Sequence, residues 1–334
     1  MADAANPDPP QSHPQNLPKV LILKPPPIFP HFESELSLHF HLLKAYESPL
    51  PTPEFLAAAN ASGVSAMLAS GGYPITAADP LDHLPSLRCI VTTSAGLDHI
   101  DMQECRRRGI AVAFAGDVYS DDCADAAVGL LIDVLHRVSA GDRFVRNGAW
   151  SSQRKFPLAN RLGGKRIGIV GLGSIGCRIA KRLEAFGCSI LYDSRQKKPS
   201  VPYTYYSDVC ELAASSDVLV ICCALTDQTR HMINKEVLSA LGKEGVVINI
   251  GRGPIINERE LVRSLQEGEI AGAGLDVFEN EPWVPEELFA LDNVVLSPHI
   301  AFATREGFHD MFELVKGNLQ AFFSNKPLLT PVVD

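Results

Sequence analysis

Several things are missing from this 334-residue chain, and each absence narrows the field. No apolar run approaches the roughly 20 residues needed to cross a bilayer, so no membrane partner is expected. There is no excess of basic charge. Thirty Lys and Arg face 39 Asp and Glu, for a formal net charge of −9, and the basic footprint of a nucleic-acid binder is lacking. No Cys-x-x-Cys pair occurs among Cys89, Cys105, Cys123, Cys177, Cys188, Cys210, Cys222 and Cys223. The expectation is therefore reduced, mostly buried thiols in a reducing compartment and no metal site. Residues 1–18 contain neither arginine nor an apolar core, which speaks against a mitochondrial presequence and a secretory signal. They are rich in Pro, Asn, Gln and Asp and are expected to form a disordered tail. The ending Pro331-Val332-Val333-Asp334 is not a peroxisomal address, which leaves the cytoplasm as the expected location.

What is present is a strand, a glycine turn and a helix in the middle of the chain. Ile167, Ile169 and Val170 form a short apolar run of the kind found in buried parallel strands. Gly171, Gly173 and Gly176 follow as G-x-G-x-x-G, and Ile175, Ile179, Leu183 and Phe186 then recur at helical spacing. In that context the first glycine permits a tight turn, the second lets backbone approach a pyrophosphate, and the third lets helix and strand pack closely. The helix start adds free N–H groups and a positive dipole end. The competing reading is a glycine-rich turn that holds no ligand.

Around this centre the pattern alternates strands and helices, which predicts an α/β protein with parallel sheets. Strands are expected at 20–23, 64–69, 87–93 and 110–115 before the fingerprint, and at 189–192, 218–222, 246–250, 270–277 and 294–297 after it. Helices are expected at 35–43, 53–60, 101–108, 209–213, 235–241, 258–266 and 304–323, with one long helix over 117–145 that could bridge two domains. Residues 148–164 read as a polar connector. The simplest arrangement is two doubly wound, Rossmann-like domains. The substrate domain would be 19–116 plus 301–334, and the dinucleotide domain, 117–300, would be inserted into it, with the site in the cleft between.

Three residues stand just beyond strand ends, where open α/β sheets bind ligands. Arg252 is bracketed by Gly251 and Gly253, so a ligand can approach bare backbone and meet a guanidinium fork. His299 can give a proton to a carbonyl oxygen, and Glu281 can hold that imidazole and favour its charged form. Taken singly, each also reads as an ordinary surface or loop residue. Before the fingerprint, the small-residue turn Ser94-Ala95-Gly96-Leu97-Asp98 could offer backbone N–H groups to an anion.

These stretches together resemble the D-isomer-specific 2-hydroxyacid dehydrogenases. The resemblance runs from about residue 19 to the end, through Ser94–Asp101, the Gly171–Gly176 fingerprint, Asn249–Gly253, Gly274–Phe278 and Ser297–His299. Arg252 and Glu281 are 29 residues apart, and Glu281 and His299 are 18 apart, as in that family. Stretches such as Ser194–Pro199 and Lys326–Pro331 are similar to the patterns of plant glyoxylate/hydroxypyruvate and hydroxyphenylpyruvate reductases. The resemblance implies NAD(P)-dependent reduction of small 2-oxo acids, glyoxylate or hydroxypyruvate first and 4-hydroxyphenylpyruvate as the alternative. It assigns Arg252 to the substrate, His299 to acid/base work, Glu281 to His299, and the Ala95-Gly96-Leu97 turn to the substrate carboxylate. Gly171, Leu172, Gly173, Ser174, Ile175, Gly176, Ser194, Arg195, Cys223, Ile250 and Asp276 would hold the dinucleotide, with Asp276 on the nicotinamide carboxamide. Ala224 departs from a proline common in the family, which affects local loop shape. The position that carries an acid in NAD-specific members falls on Ser194, beside Arg195, Lys197 and Lys198, which predicts NADPH over NADH. Read one residue earlier, Asp193 would be that acid and NADH would serve. A homodimer is implied as well. Some relatives are dinucleotide-sensing corepressors that keep the same three site residues, and they usually carry long flanking extensions.

Overall fold

The computed structural model describes residues 17–27, 29–153 and 155–333. Most of the expected N-terminal tail, residues 1–16, lies outside the described residues. By internal contact the chain divides into two compact units: Met1–Gly116 with Phe308–Asp334, and Asp117–Gly307.

The first unit begins with β1 (Lys19–Ile22), α1 (Glu33–Leu36), β2 (His41–Lys44), α2 (Thr52–Ala61), β3 (Ala66–Ala69), β4 (Cys89–Thr92), α3 (Met102–Arg108) and β5 (Ala111–Ala113). Its five strands are all parallel, in the order β2-β1-β3-β4-β5. Every residue of β3 and β4 is buried, as a parallel sheet covered on both faces requires. The expected helix over 35–43 is overturned in its second half. Only a single helical turn forms, and His41–Lys44 instead pairs alongside Lys19–Ile22 as the sheet's edge strand. Leu36 and Phe40 are both buried at i, i+4 spacing, so the local pattern suits a helix, but an open sheet edge offers backbone partners that outweigh it. Helix α3 has legible ends: the Asp101 carboxylate accepts from the Glu104 N–H, and Gly109 closes the helix at φ 66°.

The second unit opens with α4 (Ser120–His136), α5 (Val138–Arg146) and α6 (Ala149–Gln153). The single long helix expected over 117–145 is therefore two, broken where Arg137 takes a left-handed conformation at φ 58°. The Asp133 carboxylate stabilises the break by accepting from the Ser139 N–H at 2.7 Å and the Ser139 hydroxyl at 2.5 Å. No glycine or proline marks it. The connector that follows is not wholly irregular, since α6 lies in it. Then come β6 (Arg166–Val170), α7 (Ser174–Ala185), β7 (Ser189–Asp193), β8 (Thr204–Tyr206), α8 (Val209–Ala214), β9 (Val218–Ile221), α9 (Lys235–Leu241), β10 (Val246–Asn249), α10 (Glu258–Gln266), β11 (Gly272–Leu275) and β12 (Val294–Leu296). The sheet is again all parallel, in the order β12-β11-β10-β9-β6-β7-β8. The three-residue edge strand β8 has no counterpart in the sequence pattern. Helices α8, α9 and α10 begin at Asp208, Asn234 and Asn257, whose side chains accept the first free N–H groups.

The last helix, α11 (Arg305–Phe323), passes into the first unit. There Phe312 packs on Phe32 at 5.1 Å and Phe323 on Phe40 at 5.9 Å between ring centroids. Asn318, fully buried, accepts from the Leu329 and Thr330 N–H groups, and the Val332 N–H donates to the Val112 carbonyl, which ties the C-terminal segment to β5.

Candidate active site

In the second unit the strand order reverses direction between β6 and β9, the switch point where doubly wound sheets bind ligands. Strands β6, β9, β10 and β11 and the edge strand β12 each lead into a residue singled out from the sequence. Gly171 follows β6, Cys223 follows β9 by two residues, Ile250 follows β10, Asp276 follows β11, and His299 lies three residues past β12.

The glycine turn fits a dinucleotide. A Cβ on Gly171 would meet the Cys223 Cα and N at 2.6 Å, and one on Gly176 would meet the Gly171 carbonyl oxygen at 2.4 Å. Both positions are glycine for internal reasons, and Gly171 also needs its φ of 100°. A Cβ on Gly173 would meet nothing within 4 Å. The middle glycine thus leaves open space in front of the N-terminus of α7, where a pyrophosphate needs bare backbone. Leu172 is buried beneath the turn, Ile175 is half-buried, and Arg178 donates to the Ser174 hydroxyl. At the end of β7, Ser194 donates to the Gln196 carbonyl at 2.6 Å, and Arg195 is exposed. Asp193 is half-buried, and burial together with the charge of Asp208 pushes its carboxyl above the usual range.

Arg252, Glu281 and His299 come together. His299 Nδ1 and Glu281 Oε2 are 2.7 Å apart, with 37% and 35% of their side chains exposed. The other Glu281 oxygen accepts from the Phe278 N–H at 3.1 Å. Burial opposes the charged form of Glu281. The His299 hydrogen bond and charge, the Phe278 N–H and the nearby Arg252 charge outweigh it, and the carboxyl is held below its ordinary value of 4.5. Glu281 and His299 edge an apolar cavity of about 260 Å³ that includes Phe278, Val284, Phe289 and Leu296. The His299 backbone sits at φ 55°, a conformation a non-glycine residue holds only when its surroundings impose it. Here they do. Its N–H donates to the Asp276 carbonyl at 2.7 Å, and the buried Asp276 carboxylate accepts from the Ser297 hydroxyl and from the N–H groups of Ile300 and Ala301. Three acceptor positions of Asp276 are thus spent inside the protein, and a carboxylate has about four.

The remaining predicted residues, Ala95, Gly96 and Leu97, lie in the first unit just beyond β4. Ala95 is exposed and Gly96 half-buried. The turn is set by the Ser94 N–H donating to the Thr92 hydroxyl and the Ile100 N–H donating to the Leu97 carbonyl.

Sequence reasoning missed the residues that hold these groups in place. Asn249, buried at the end of β10, donates to the Arg252 carbonyl and accepts from the Gly251 N–H, so its amide clamps the arginine turn from both sides. His231 donates its backbone N–H to Pro254, and its Nε2 lies 2.7 Å from the Glu279 carboxylate. Glu279 and Glu258 each accept from the other's backbone N–H. A polar side chain closing a buried strand was the available signal for Asn249. Nothing in the spacing marks His231, which is 21 residues from Arg252 and 48 from Glu279.

The chain is similar to known proteins along most of its length. The family described as D-isomer specific 2-hydroxyacid dehydrogenase, NAD binding domain, matches residues 128–301. A glyoxylate/hydroxypyruvate reductase of Arabidopsis thaliana is 53% identical over 316 residues, covering 94% of this chain and 97% of its own. A hydroxyphenylpyruvate reductase of Plectranthus scutellarioides is 48% identical, covering 92% and 97%. Among solved structures, an NADPH-dependent glyoxylate/hydroxypyruvate reductase of Sinorhizobium meliloti, in complex with NADP and malonate, superposes with a TM-score of 0.85 at 38% identity, covering 95% and 97%.

The depressed Glu281 carboxyl predicts a pH signature. Because the folded group titrates below 4.5 and the unfolded group at its ordinary value, folding favours the charged form. Its contribution to stability is full above the unfolded value and disappears as pH falls through the folded one. Denaturant titrations should therefore show the stability advantage of wild type over Glu281→Gln shrinking as pH falls below about 4.5. A margin that does not change with pH would contradict this.

Proposed function

This chain belongs to the D-isomer specific 2-hydroxyacid dehydrogenase family, and we propose that it reduces glyoxylate to glycolate and hydroxypyruvate to D-glycerate, preferring NADPH. The observation that carries this reading is the 2.7 Å pairing of His299 with Glu281 beside the Arg252 turn. With Nδ1 engaged by the carboxylate, Nε2 is the atom left to exchange a proton with substrate. The Arg252 guanidinium holds the substrate carboxylate and draws charge toward the carbonyl oxygen. The reduced nicotinamide, when bound, supplies the hydride to the carbonyl carbon. His299 gives its Nε2 proton to the carbonyl oxygen, and Glu281 stays ionised and steadies the imidazole through the change. In the first unit the backbone N–H groups of the Ala95-Gly96-Leu97 turn are a candidate carboxylate subsite, and in the second Asp276 offers its remaining acceptor position to the nicotinamide amide. The Arabidopsis relative supports glyoxylate and hydroxypyruvate. The Plectranthus relative favours 4-hydroxyphenylpyruvate as the second substrate to test.

Replacing His299 by Ala should lower turnover of both small ketoacids by about 10²–10⁴-fold, the range for a positioned acid/base. Unchanged turnover would remove His299 from the chemistry.

NADPH is favoured by Ser194, Arg195, Lys197 and Lys198 together beyond β7, and NADH remains possible through Asp193. Charge-assisted contacts to a 2′-phosphate are worth about 10–100-fold in preference. Arg195→Ala should accordingly raise KM for NADPH by that factor and leave KM for NADH nearly unchanged. Equal effects on both, or a wild-type preference for NADH, would give the ribose to Asp193.

We also propose a cytoplasmic homodimer. The described residues include no helix long and apolar enough to cross a membrane. Segment 138–158 exposes Val138, Val145, Trp150 and Leu158, the last at 95%, an apolar surface suited to a second copy. Sedimentation at micromolar concentration should give twice the mass of the chain, and a monomer would contradict the assignment.

A further inference from the structure

Resting on the reductase reading above, we propose that Lys24 selects 2-oxo acids bearing an oxygen-containing group on C3, and so favours hydroxypyruvate over substrates whose C3 is apolar. In the first unit β1, β3 and β4 are consecutive neighbours, so their carboxyl ends lie side by side. Lys24 stands two residues beyond β1, Ser70-Gly71-Gly72 directly follows β3, and Thr93-Ser94 directly follows β4. Ligands of such sheets bind beyond those ends.

The contacts connect the three. Lys24 Nζ donates to the Gly72 carbonyl at 3.2 Å, and a Cβ on Gly72 would come within 3.1 Å of that nitrogen. A Cβ on Gly71 would come within 3.2 Å of the Ser94 hydroxyl. Further along, the Ile75 N–H donates to the His99 carbonyl and the Asp101 N–H returns to the Ile75 carbonyl, so the loop after β3 runs beside the turn after β4. The two glycines form a side-chain-free step, with the ammonium at one end and the turn Ser94-Ala95-Gly96 at the other. A 2-oxo acid whose carboxylate sits on the turn N–H groups can extend its C3 substituent over that step.

The charge at the far end is unspent. Lys24 has no carboxylate within ion-pair distance among the described residues, and its one hydrogen bond is to a neutral carbonyl. An ammonium has three donors, so it can keep Gly72 and still take a hydroxyl or carboxylate oxygen. Pro25, Pro26 and Pro27 follow directly, and their fixed φ angles restrict the backbone that carries it.

Glyoxylate has no C3, and that separates the idea from its premise. In purified full-length enzyme, Lys24→Met should lower kcat/KM for hydroxypyruvate about 10–100-fold, the worth of one charge-assisted hydrogen bond, and change glyoxylate less than about twofold. Lys24→Arg should keep most hydroxypyruvate activity. Gly72→Ala, which crowds the ammonium, should lose hydroxypyruvate selectively. In wild type, oxaloacetate should be a better substrate than pyruvate, and Lys24→Met should erase that difference. Parallel losses on glyoxylate and hydroxypyruvate would show that Lys24 only supports the loop, and no loss on either would show that it faces solvent; both overturn the proposal. A wild-type enzyme that reduces neither ketoacid would instead overturn the function proposed above.

Discussion

The candidate active site depends on how closely two strand-end loops approach each other. A Cβ on Gly253 would stand 1.9 Å from the carbonyl carbon and oxygen of Phe278 and 2.4 Å from the Glu279 nitrogen. No side chain fits there, and the atoms in the way are backbone. This contact sets the turn carrying Arg252 against the loop carrying Glu281. Around it, polar groups fix what packing alone would leave free. Asn249 holds the Arg252 turn, and Glu258 and Glu279 exchange backbone hydrogen bonds across the join. His231 reaches both sides, with its N–H on Pro254 and its ring on Glu279. Burial, with the charges of Glu279 and Glu281 nearby, pushes the Glu258 carboxyl upward.

Much of this was legible in the sequence where one local rule acted alone. Parallel strands buried on both faces appear as unbroken apolar runs, and Val218–Ile221 and Val246–Asn249 were found for that reason. The helices expected over 235–241 and 258–266 form at those bounds, where Asn234 and Asn257 satisfy the first free N–H groups. The glycine fingerprint is readable because each glycine answers a separate steric demand. The failures occur where a distant partner decides. His41–Lys44 becomes a strand because β1 offers its edge, and helix 117–145 breaks at Arg137 because Asp133 can satisfy the amide beyond the break. Catalytic candidates were named from their places beyond strand ends and from the family resemblance, but the side chains that aim them were not, since Asn249, His231 and Glu258 are ordinary residues until the loops meet.

Two carboxylates of the second unit show how burial divides labour between like groups. Asp276 is 1% exposed, and three donors from the segment around His299 converge on it. With that many charge-assisted bonds it serves as a fixed point for the strained backbone at His299. Glu281 has fewer internal partners and more exposure. One oxygen is anchored by the Phe278 N–H and the other faces the imidazole. Exchanging the two environments would leave a mobile histidine beside a carboxylate with nothing to aim.

The same logic bears on the loop that would read the cofactor's ribose. Tyr192, fully buried, receives the Lys198 N–H on its hydroxyl and packs at a tilt against Tyr205, whose own hydroxyl donates to the Ser194 carbonyl. The backbone from 194 to 198 is therefore braced from below, while Arg195 and Lys197 are exposed above it. A braced backbone with free cationic side chains suits an anion that arrives with its own geometry, because only the side chains need to reorganise. Asp193 lies within the same turn, yet its carboxyl is half-buried, with burial and Asp208 both disfavouring its charge. Burial and Asp208 thus act against the charged form of Asp193, while the side chains of Arg195 and Lys197 remain in water.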